Sequence, residues 1–458
     1  MFKNNISESE LNLTSYIQSN GFSWTEIIHY VKSYQKEIYQ YSSIGDSVKI
    51  RCLQDQLFCS EQAIFLAMRY IFNKKNKYQS KSKKCINSFL SNHANSLDRF
   101  FLQDRLLLID LVTQELLLII LRPEWEARVE SNSYGFSSGL AINQAVIKTY
   151  SILNENQMYD DSIVLVGKIN NWITNLDSSL MLKKFNCSNN IKNHISSIFN
   201  ESLFVSSSIL INKKFQFVNI VCFPYNSIAL LLADVIFYGL ETAVFWKKTN
   251  IDQPYWGKIT TVVYSEHFLV IFPYSNIQYT SSIIGCIRSF FKSVGLVLQN
   301  SSLTAQSIHK GFDFLGFNFR RYKTDHEGNH QQNKLIMKPT SNNIKKHLLS
   351  MRYCMYHKDR LNRWRANAQM TQYDVINKLN PLIKDFSHYY NDIVPYSILK
   401  LLDRTLNEII YRYAIKKYKS DKSRKWDNNW TIVVNGKKTI GYIDEGGNGY
   451  RSLYLHNQ

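Results

Sequence analysis

The sequence predicts an α+β fold on three observations. Apolar residues recur near a 3.6-residue period before residue 122 and again after Pro339. Short runs rich in β-branched and aromatic residues interrupt the middle of the chain, as strands do. Hydrophobic residues make up 45% of the 458 positions, enough for a sizeable core spread over roughly two to four domains.

The elements follow in order. Trp24, Ile28, Val31 and Ile38 share a helical face, as do Leu53, Leu57, Ile64 and Met68, so residues 22–72 are predicted helical. A basic polar stretch, Asn73 to Lys84, reads as a loop or solvated arm. Helical pattern resumes from Asp98 to Leu121, and Pro123, which has no N–H to continue the ladder, is expected to stop it. Residues 162–166, 215–223 and 258–272 read as strands, with helices over 226–247 and 281–294 packed on them. Within the third of these, VVYSEHFLVI (262–271) reads as a hairpin whose tip carries Ser265, Glu266 and His267. Asn, Asp or Gly would be usual at such a tip. Successive strand residues point to opposite faces, so Glu266 and His267 are not expected to act as a hydrolytic pair. Ser341 is placed to cap a helix whose face holds Ile344, Leu348, Met351 and Met355. Pro395 and Ser397 precede another, with Ile398, Leu402, Ile409 and Tyr413 in phase. A last hairpin turns at Asn435-Gly436, a type I′ signal. No internal repeat is visible.

Charge is strongly lopsided. The 55 Lys and Arg outnumber the 36 Asp and Glu, for a formal charge of +19. A surplus of this size suits a polyanion, and 14% aromatic residues add rings on which splayed bases can stack. An AT-rich genome would also favour Tyr, Lys, Asn, Ile and Phe. From Lys334 to Trp426 there are 20 basic and 7 acidic residues, so the C-terminal third is the expected binding region. Its densest part runs from Lys416 to Trp426. The seven cysteines form no Cys-x-x-Cys pair, so neither a zinc site nor a disulfide framework is expected, and a reducing compartment is. The N-terminal residues have neither the signal-peptide nor the transit-peptide pattern. The most apolar window, Leu106 to Leu121, holds Asp110, Gln114 and Glu115 and reads as a core helix, not a membrane span.

One stretch carries more than composition. Arg122-Pro123-Glu124-Trp125-Glu126, leading into Asn132-Ser133-Tyr134-Gly135-Phe136 and Gly139, resembles the second motif of the group II intron reverse transcriptase–maturase family. Ser137-Ser138 stands where that family has Arg-Pro. Leu53-Gln54, Leu57, Ser60 and Ala63 to Arg69 resemble the family's N-terminal extension, and Gly311 to Phe317 with Arg320-Arg321-Tyr322 the segment before the thumb. Leu379 to Ile383, Tyr389-Tyr390 and Lys422 to Trp426 resemble its maturase domain, domain X. The resemblance implies polymerase-like fingers and palm, mixed helices with a small antiparallel palm sheet, followed by a helical thumb and domain X. It implies four parts: 1–100 as N-terminal extension and fingers, 101–310 as degenerate fingers and palm, 311–430 as thumb and domain X, and 431–458 as a hairpin tail.

The family's polymerase chemistry needs carboxylates, because two Mg²⁺ ions must be held by oxygen. The resemblance puts Lys168 where the third-motif Asp belongs, and Tyr264-Ser265-Glu266-His267 where Tyr-Ala-Asp-Asp belongs. Val221 to Asn226 replaces the glycine-rich motif between them. No bound metal or cofactor is therefore expected, and no polymerase activity. An active RNA-dependent DNA polymerase is the alternative, needing Glu266 and a further acid such as Asp160 or Asp161; a decayed reading frame is another. The resemblance implies a maturase-like splicing cofactor acting on a group II intron, or a derived group III intron, in organellar pre-mRNA, with other splicing factors as further partners and no membrane. The composition and the degenerate motifs point to a plastid, with the mitochondrion as alternative. The candidate RNA contacts are Arg69 and Arg128 toward the N-terminus, then Lys345, Lys346, Arg352, Arg363, Arg365, Tyr389, Tyr390, Lys416, Lys417, Lys419, Lys422, Arg424, Lys425 and Trp426.

Overall fold

The computed structural model describes residues 21–75, 99–128, 130–134, 141–155, 162–169, 172–200, 227–249, 259–272, 277–299, 302–324, 332–367, 369–416, 421–434, 436–443 and 449–456. The chain starts as a helical bundle. Helix α1 (Trp24–Ile44) begins at a capping box, in which Ser23 and Glu26 each accept the other's backbone N–H, and ends at Gly45 with φ +87°. Helix α2 (Ser47–Phe58) is capped by Asp46, and α3 (Glu61–Lys75) follows. The segment expected to be one basic loop is thus still helical to Lys75; residues 76–84 lie outside the described residues.

Helix α4 (Arg99–Arg128) corrects the expectation that Pro123 ends it. Proline removes the bond to the carbonyl four residues back, that of Ile119. Here the Gln35 side chain of α1 supplies the missing donor, at 2.9 Å from the Ile119 oxygen. With that carbonyl satisfied, the helix continues. Ile27, Val31 and Ile38 of α1, Leu57, Ala67, and Leu117, Ile120 and Trp125 of α4 close one core.

The middle of the chain builds a sheet. Helix α5 (Ala141–Glu155) leads to β1 (Ile163–Lys168), then α6 (Trp172–Asn175), α7 (Ser178–Leu182), α8 (Asn189–Asn200), α9 (Ser227–Phe237) and α10 (Leu240–Thr249). The hairpin β2 (Thr260–Tyr264) and β3 (His267–Phe272), helix α11 (Ile277–Ser293) and β4 (Leu303–Ser307) complete it. The strand order is β2-β3-β1-β4, with every pair antiparallel. Side chains alternate between two cores: Leu165, Val263, Phe268 and Val270 face the helical bundle, and Val164, Val262, Leu269 and Ile271 face the other side. Gly167 pairs with Phe268, whose ring occupies the space that a Cβ there would need. The strand expected over 215–223 lies outside the described residues.

The single helix expected over 226–247 is two. Gly239, at φ +91°, breaks it. Two distant side chains satisfy the break. Lys184 Nζ donates to the carbonyls of Val235, Ile236 and Tyr238 at 2.7–3.1 Å, and the Glu130 carboxylate accepts the N–H groups of Gly239 and Glu241. Burial pulls Lys184 down to about 8, partly offset by Glu130.

A second small sheet goes beyond the sequence-based expectations. Strands β5 (Phe312–Phe314), β6 (Phe317–Thr324) and β7 (Gln332–Pro339) form a meander, turning at Leu315-Gly316, both at positive φ. Its Phe312, Phe314, Phe317 and Phe319 enter the core on the far side of the first sheet. Helix α12 (Ser341–Met355) then starts one residue earlier than expected, with Thr340 as cap. The hairpin β8 (Tyr356–Lys358) and β9 (Trp364–Ala366) precedes α13 (Gln372–Tyr390), α14 (Tyr396–Lys416) and α15 (Lys422–Trp430). Strands β10 (Thr431–Val434), β11 (Lys437–Ile443) and β12 (Tyr450–Ser452) extend the expected terminal hairpin by one strand. A third core joins Met351, Met355, Leu379, Ile383, Leu406, Ile410 and Tyr413 to Trp430 of α15 and to Ile440 and Leu453 of the tail. The architecture is a mixture of helices and small antiparallel sheets, as the sequence predicts. No described helix is long and apolar enough to cross a membrane.

Candidate nucleic-acid interface

The first region of interest is one end of the four-stranded sheet. Antiparallel register sets Lys168 of β1 opposite His267 of β3, and His267 opposite Tyr264 of β2. The β2–β3 turn is two residues long, with Ser265 in the left-handed region at φ +52°. The Glu266 carbonyl accepts the Ile169 N–H at 2.9 Å, which ties the turn to the end of β1. Next to it, Asn132-Ser133-Tyr134 docks on β2 through two backbone bonds to Val263, at 2.9 and 3.0 Å.

Residues far apart in sequence thus meet. Lys168 Nζ lies 3.2 Å from Glu266 Oε1, and the Glu266 side chain is only 7% exposed. Burial pushes the Glu266 carboxyl up, and Lys168 opposes that shift. Burial and then the nearby Lys168 charge push His267 down to about 3, so its imidazole is neutral near pH 7. Tyr264 packs into the second core. The sheet end therefore presents one carboxylate already matched by an ammonium, beside a neutral imidazole. Among the described residues no group of three or more His, Cys, Asp or Glu is placed to hold a metal ion. Asp160, Asp161 and Val221 to Asn226 lie outside the described residues.

The second region is the basic C-terminal third. Helix α12 exposes Lys345 and Arg352, while Lys346 is half-buried. Arg363 and Arg365 extend from the β8–β9 hairpin, and Lys416 ends α14 with its ammonium 5.6 Å from the Tyr356 ring centre. Lys422 and Arg424 are exposed on α15, whereas Lys425 and Trp426 are half-buried. Trp426 stacks on Trp430, with ring planes 12° apart, and meets Tyr411 edge-on, so it anchors α15. Lys417 and Lys419 lie outside the described residues.

Tyr390 is a correction. Expected as a platform for bases, it is fully buried. Its hydroxyl donates to the Gly316 carbonyl at 3.0 Å and accepts from Asn343 Nδ2 at 2.9 Å. Tyr389, half-buried, donates to the Leu315 carbonyl at 2.8 Å and stacks on Phe317. The pair ties α13 to the β5–β6 turn; an amphipathic ring with one polar tip serves such a joint as readily as a binding face. Toward the N-terminus, Arg128 is already committed. It pairs with fully buried Glu124 at 2.9 Å and donates to Ser42 Oγ. Arg69 lies over the Trp24 ring, 4.5 Å from its centre.

Tyr353, Tyr356, Lys358 and Trp364 are not among the candidates that the sequence singles out. They gather with Arg352 where α12 meets the β8–β9 hairpin: the Arg352 guanidinium sits 4.9 Å and the Lys358 ammonium 5.5 Å from the Trp364 ring centre. The available signal was the Tyr356-x-Lys358…Trp364-x-Ala366 alternation, whose two three-residue strands are too short for pattern reading.

Cations carried on and between aromatic rings can neutralise phosphates and stack on exposed bases. Residues 355–430 match the family model for the group II intron, maturase-specific domain. That match supports a place among group II intron maturases, and with it intron RNA as partner and a maturase role in splicing. No curated protein matches the chain.

Proposed function

We propose that this chain is a splicing cofactor that binds a group II intron RNA, or a derived group III intron, and assists its folding without polymerising DNA. The observation that carries the reading is the Lys168–Glu266 ion pair, at the sheet end where the resemblance places the polymerase carboxylates. Two divalent ions need several carboxylate oxygens. Here an ammonium takes up the one carboxylate instead, and Lys168 would repel an incoming cation. The region matched to the maturase domain meanwhile keeps a basic, aromatic surface.

In this mechanism the RNA performs its own transesterification. The protein's residues lower repulsion between RNA helices and seat unpaired bases. The contacts proposed are Lys345, Lys346, Arg352, Arg363, Arg365, Lys416, Lys417, Lys419, Lys422, Arg424 and Lys425, with Arg69 and Tyr389 as outlying members. Arg128, Trp426 and Tyr390 hold the scaffold instead. Composition and the degenerate motifs favour a plastid, then a mitochondrion, as the compartment.

Crosslinking in such an organelle, followed by sequencing of bound RNA, tests the reading. Enrichment of one or a few introns supports it, and recovery of no intron overturns it. A primer-extension assay with Mg²⁺ or Mn²⁺ tests the second half: incorporation that is lost in Glu266→Ala would establish a polymerase in its place.

A further inference from the structure

The β8–β9 hairpin is organised around one carboxylate. Asp359 accepts the backbone N–H groups of Leu361 and Arg363 at 3.0 and 2.9 Å, and its own N–H donates to the Arg363 carbonyl at 2.9 Å. Asn362, at φ +61°, closes the turn. The same carboxylate then holds two guanidiniums. Arg363 and Arg365 both donate through Nε to Asp359 Oδ2, each at 3.1 Å. Their side chains remain 59% and 52% exposed, and among the described residues no hydrogen bond involves their Nη groups. Two planar cations converging on a single oxygen leave a surplus positive charge with outward N–H edges, the geometry that grips a phosphate.

The rest of the hairpin adds flat surfaces. Trp364 pairs across the strands with Lys358, and the Tyr353 ring meets Trp364 at 4.9 Å between centres, with planes 59° apart. Tyr353 is half exposed, and the Arg352 guanidinium lies over Trp364. Rings and guanidinium planes accept stacked bases of any identity, but only bases free of a duplex. An A-form duplex would offer the arginines its phosphates and the rings nothing.

We propose that the β8–β9 hairpin and the adjoining turn of α12 form a binding site for an unpaired stretch of RNA, with Arg363 and Arg365 as the phosphate fork and Tyr353, Trp364 and Arg352 as the base platform. Asp359 is a positioning residue, which fixes the fork without touching RNA. The site rests on the RNA-binding reading above and narrows it to single-stranded nucleotides at a named place. Asp359 also prepares the fork for its ligand: an unanchored pair of arginines would lose side-chain freedom on gripping a phosphate, and Asp359 has already restricted it.

The test uses the full chain, a short labelled oligoadenylate and an RNA duplex of equal length, titrated over a range of salt. Tyr353→Ala removes a half-exposed ring and should leave thermal unfolding unchanged. It is expected to weaken oligoadenylate binding about tenfold, the scale of one base stack removed, while duplex affinity changes less than about twofold. Arg363→Gln with Arg365→Gln should weaken both probes and flatten the salt dependence on the single strand by about 0.7 in slope for each phosphate no longer neutralised. Arg363→Lys with Arg365→Lys keeps the charge but not the fork, and should fall between. Equal losses on both probes in Tyr353→Ala, or wild-type affinity in every variant while the wild type binds RNA, would overturn the site and leave the splicing role standing. A wild-type chain that binds neither probe would bring down both.

Discussion

Replacing Lys168 by alanine removes the ammonium 3.2 Å from Glu266 and leaves a carboxylate that is 7% exposed. Breaking a wholly buried pair costs roughly 3–5 kcal/mol, because the survivor keeps its desolvation penalty. The Lys168 side chain is 32% exposed, so water reaches part of the site. The expected loss is therefore about 1–3 kcal/mol near neutral pH. In a domain of this size that lowers the melting temperature by about 2–4 °C per kcal/mol. The pH dependence gives the sharper test. Burial already raises the Glu266 carboxyl above its ordinary value, and without Lys168 it rises further. A carboxyl raised on folding contributes stability at pH below its unfolded value and loses it as pH climbs through the folded value. The variant should thus lie closest to wild type in acid and fall away from it as pH rises. Removing the Lys168 charge also eases protonation of His267, now held at about 3, which moves the acid limb in the same direction. Denaturant unfolding followed by circular dichroism, at about pH 5 and about pH 8, measures both points. Equal stability of variant and wild type at the higher pH, or a deficit that grows on acidification, would refute the reasoning. Lys168→Met combined with Glu266→Leu should recover much of the loss, since a matched apolar pair needs no counter-charge.

Further expectations follow from single interactions. Tyr390→Phe should cost about 1–2 kcal/mol through removal of its two hydrogen bonds and leave RNA affinity unchanged; denaturation beside an RNA titration separates the two, and a binding defect in a stably folded variant would return Tyr390 to the interface. Gln35→Ala should destabilise by about 1–2 kcal/mol by orphaning the Ile119 carbonyl, and Pro123→Ala should suppress that loss by restoring the backbone donor; a loss unaltered in the double variant would refute the link. The buried chain from Asp403 through His456 to His347, linked at 2.7 Å at each step, joins the C-terminal segment to α14 and α12. Burial and the adjacent His456 hold His347 down at about 2, so stability contributed there is lost as pH falls from about 6.5 toward that value, and His347→Phe should flatten the acid limb of the stability profile.

Much of the local structure was legible because its causes are local. Helical periodicity placed α1, α12 and α14 and marked the region of α2 and α3 as helical without its break at residues 59–60, and the terminal hairpin is present as the paired strands β10 and β11. The strands over 162–166 and the two arms of VVYSEHFLVI were readable from runs of β-branched and aromatic residues. Two of the misreadings involve a partner distant in sequence. Pro123 fails to stop α4 because Gln35 bonds the carbonyl it orphans. The helix expected over 226–247 breaks at Gly239, in the left-handed region, and distant Lys184 and Glu130 satisfy the backbone groups on both sides of the break. The β5–β7 meander was legible in principle: Phe312, Phe314, Phe317 and Phe319 alternate about the Leu315-Gly316 turn, but the segment drew notice only through its resemblance to a known one.

For function, the sequence by itself determined the chemistry at hand: the surplus of basic residues in the C-terminal third, the wealth of rings, and a lysine and a single glutamate where the resemblance leads one to look for metal-binding acids. Residue identity is enough for these, since charge and hydrogen-bonding capacity belong to the side chain. Only the tertiary structure decided what each residue is engaged in. It set Lys168 against Glu266 across nearly a hundred residues through strand register, committed Arg128 to Glu124, and sank Tyr390 into the core. It also brought Tyr353 and Trp364 together with Arg363 and Arg365 around Asp359. Burial and pairing depend on what the folded chain places nearby, and no spacing in the sequence records it.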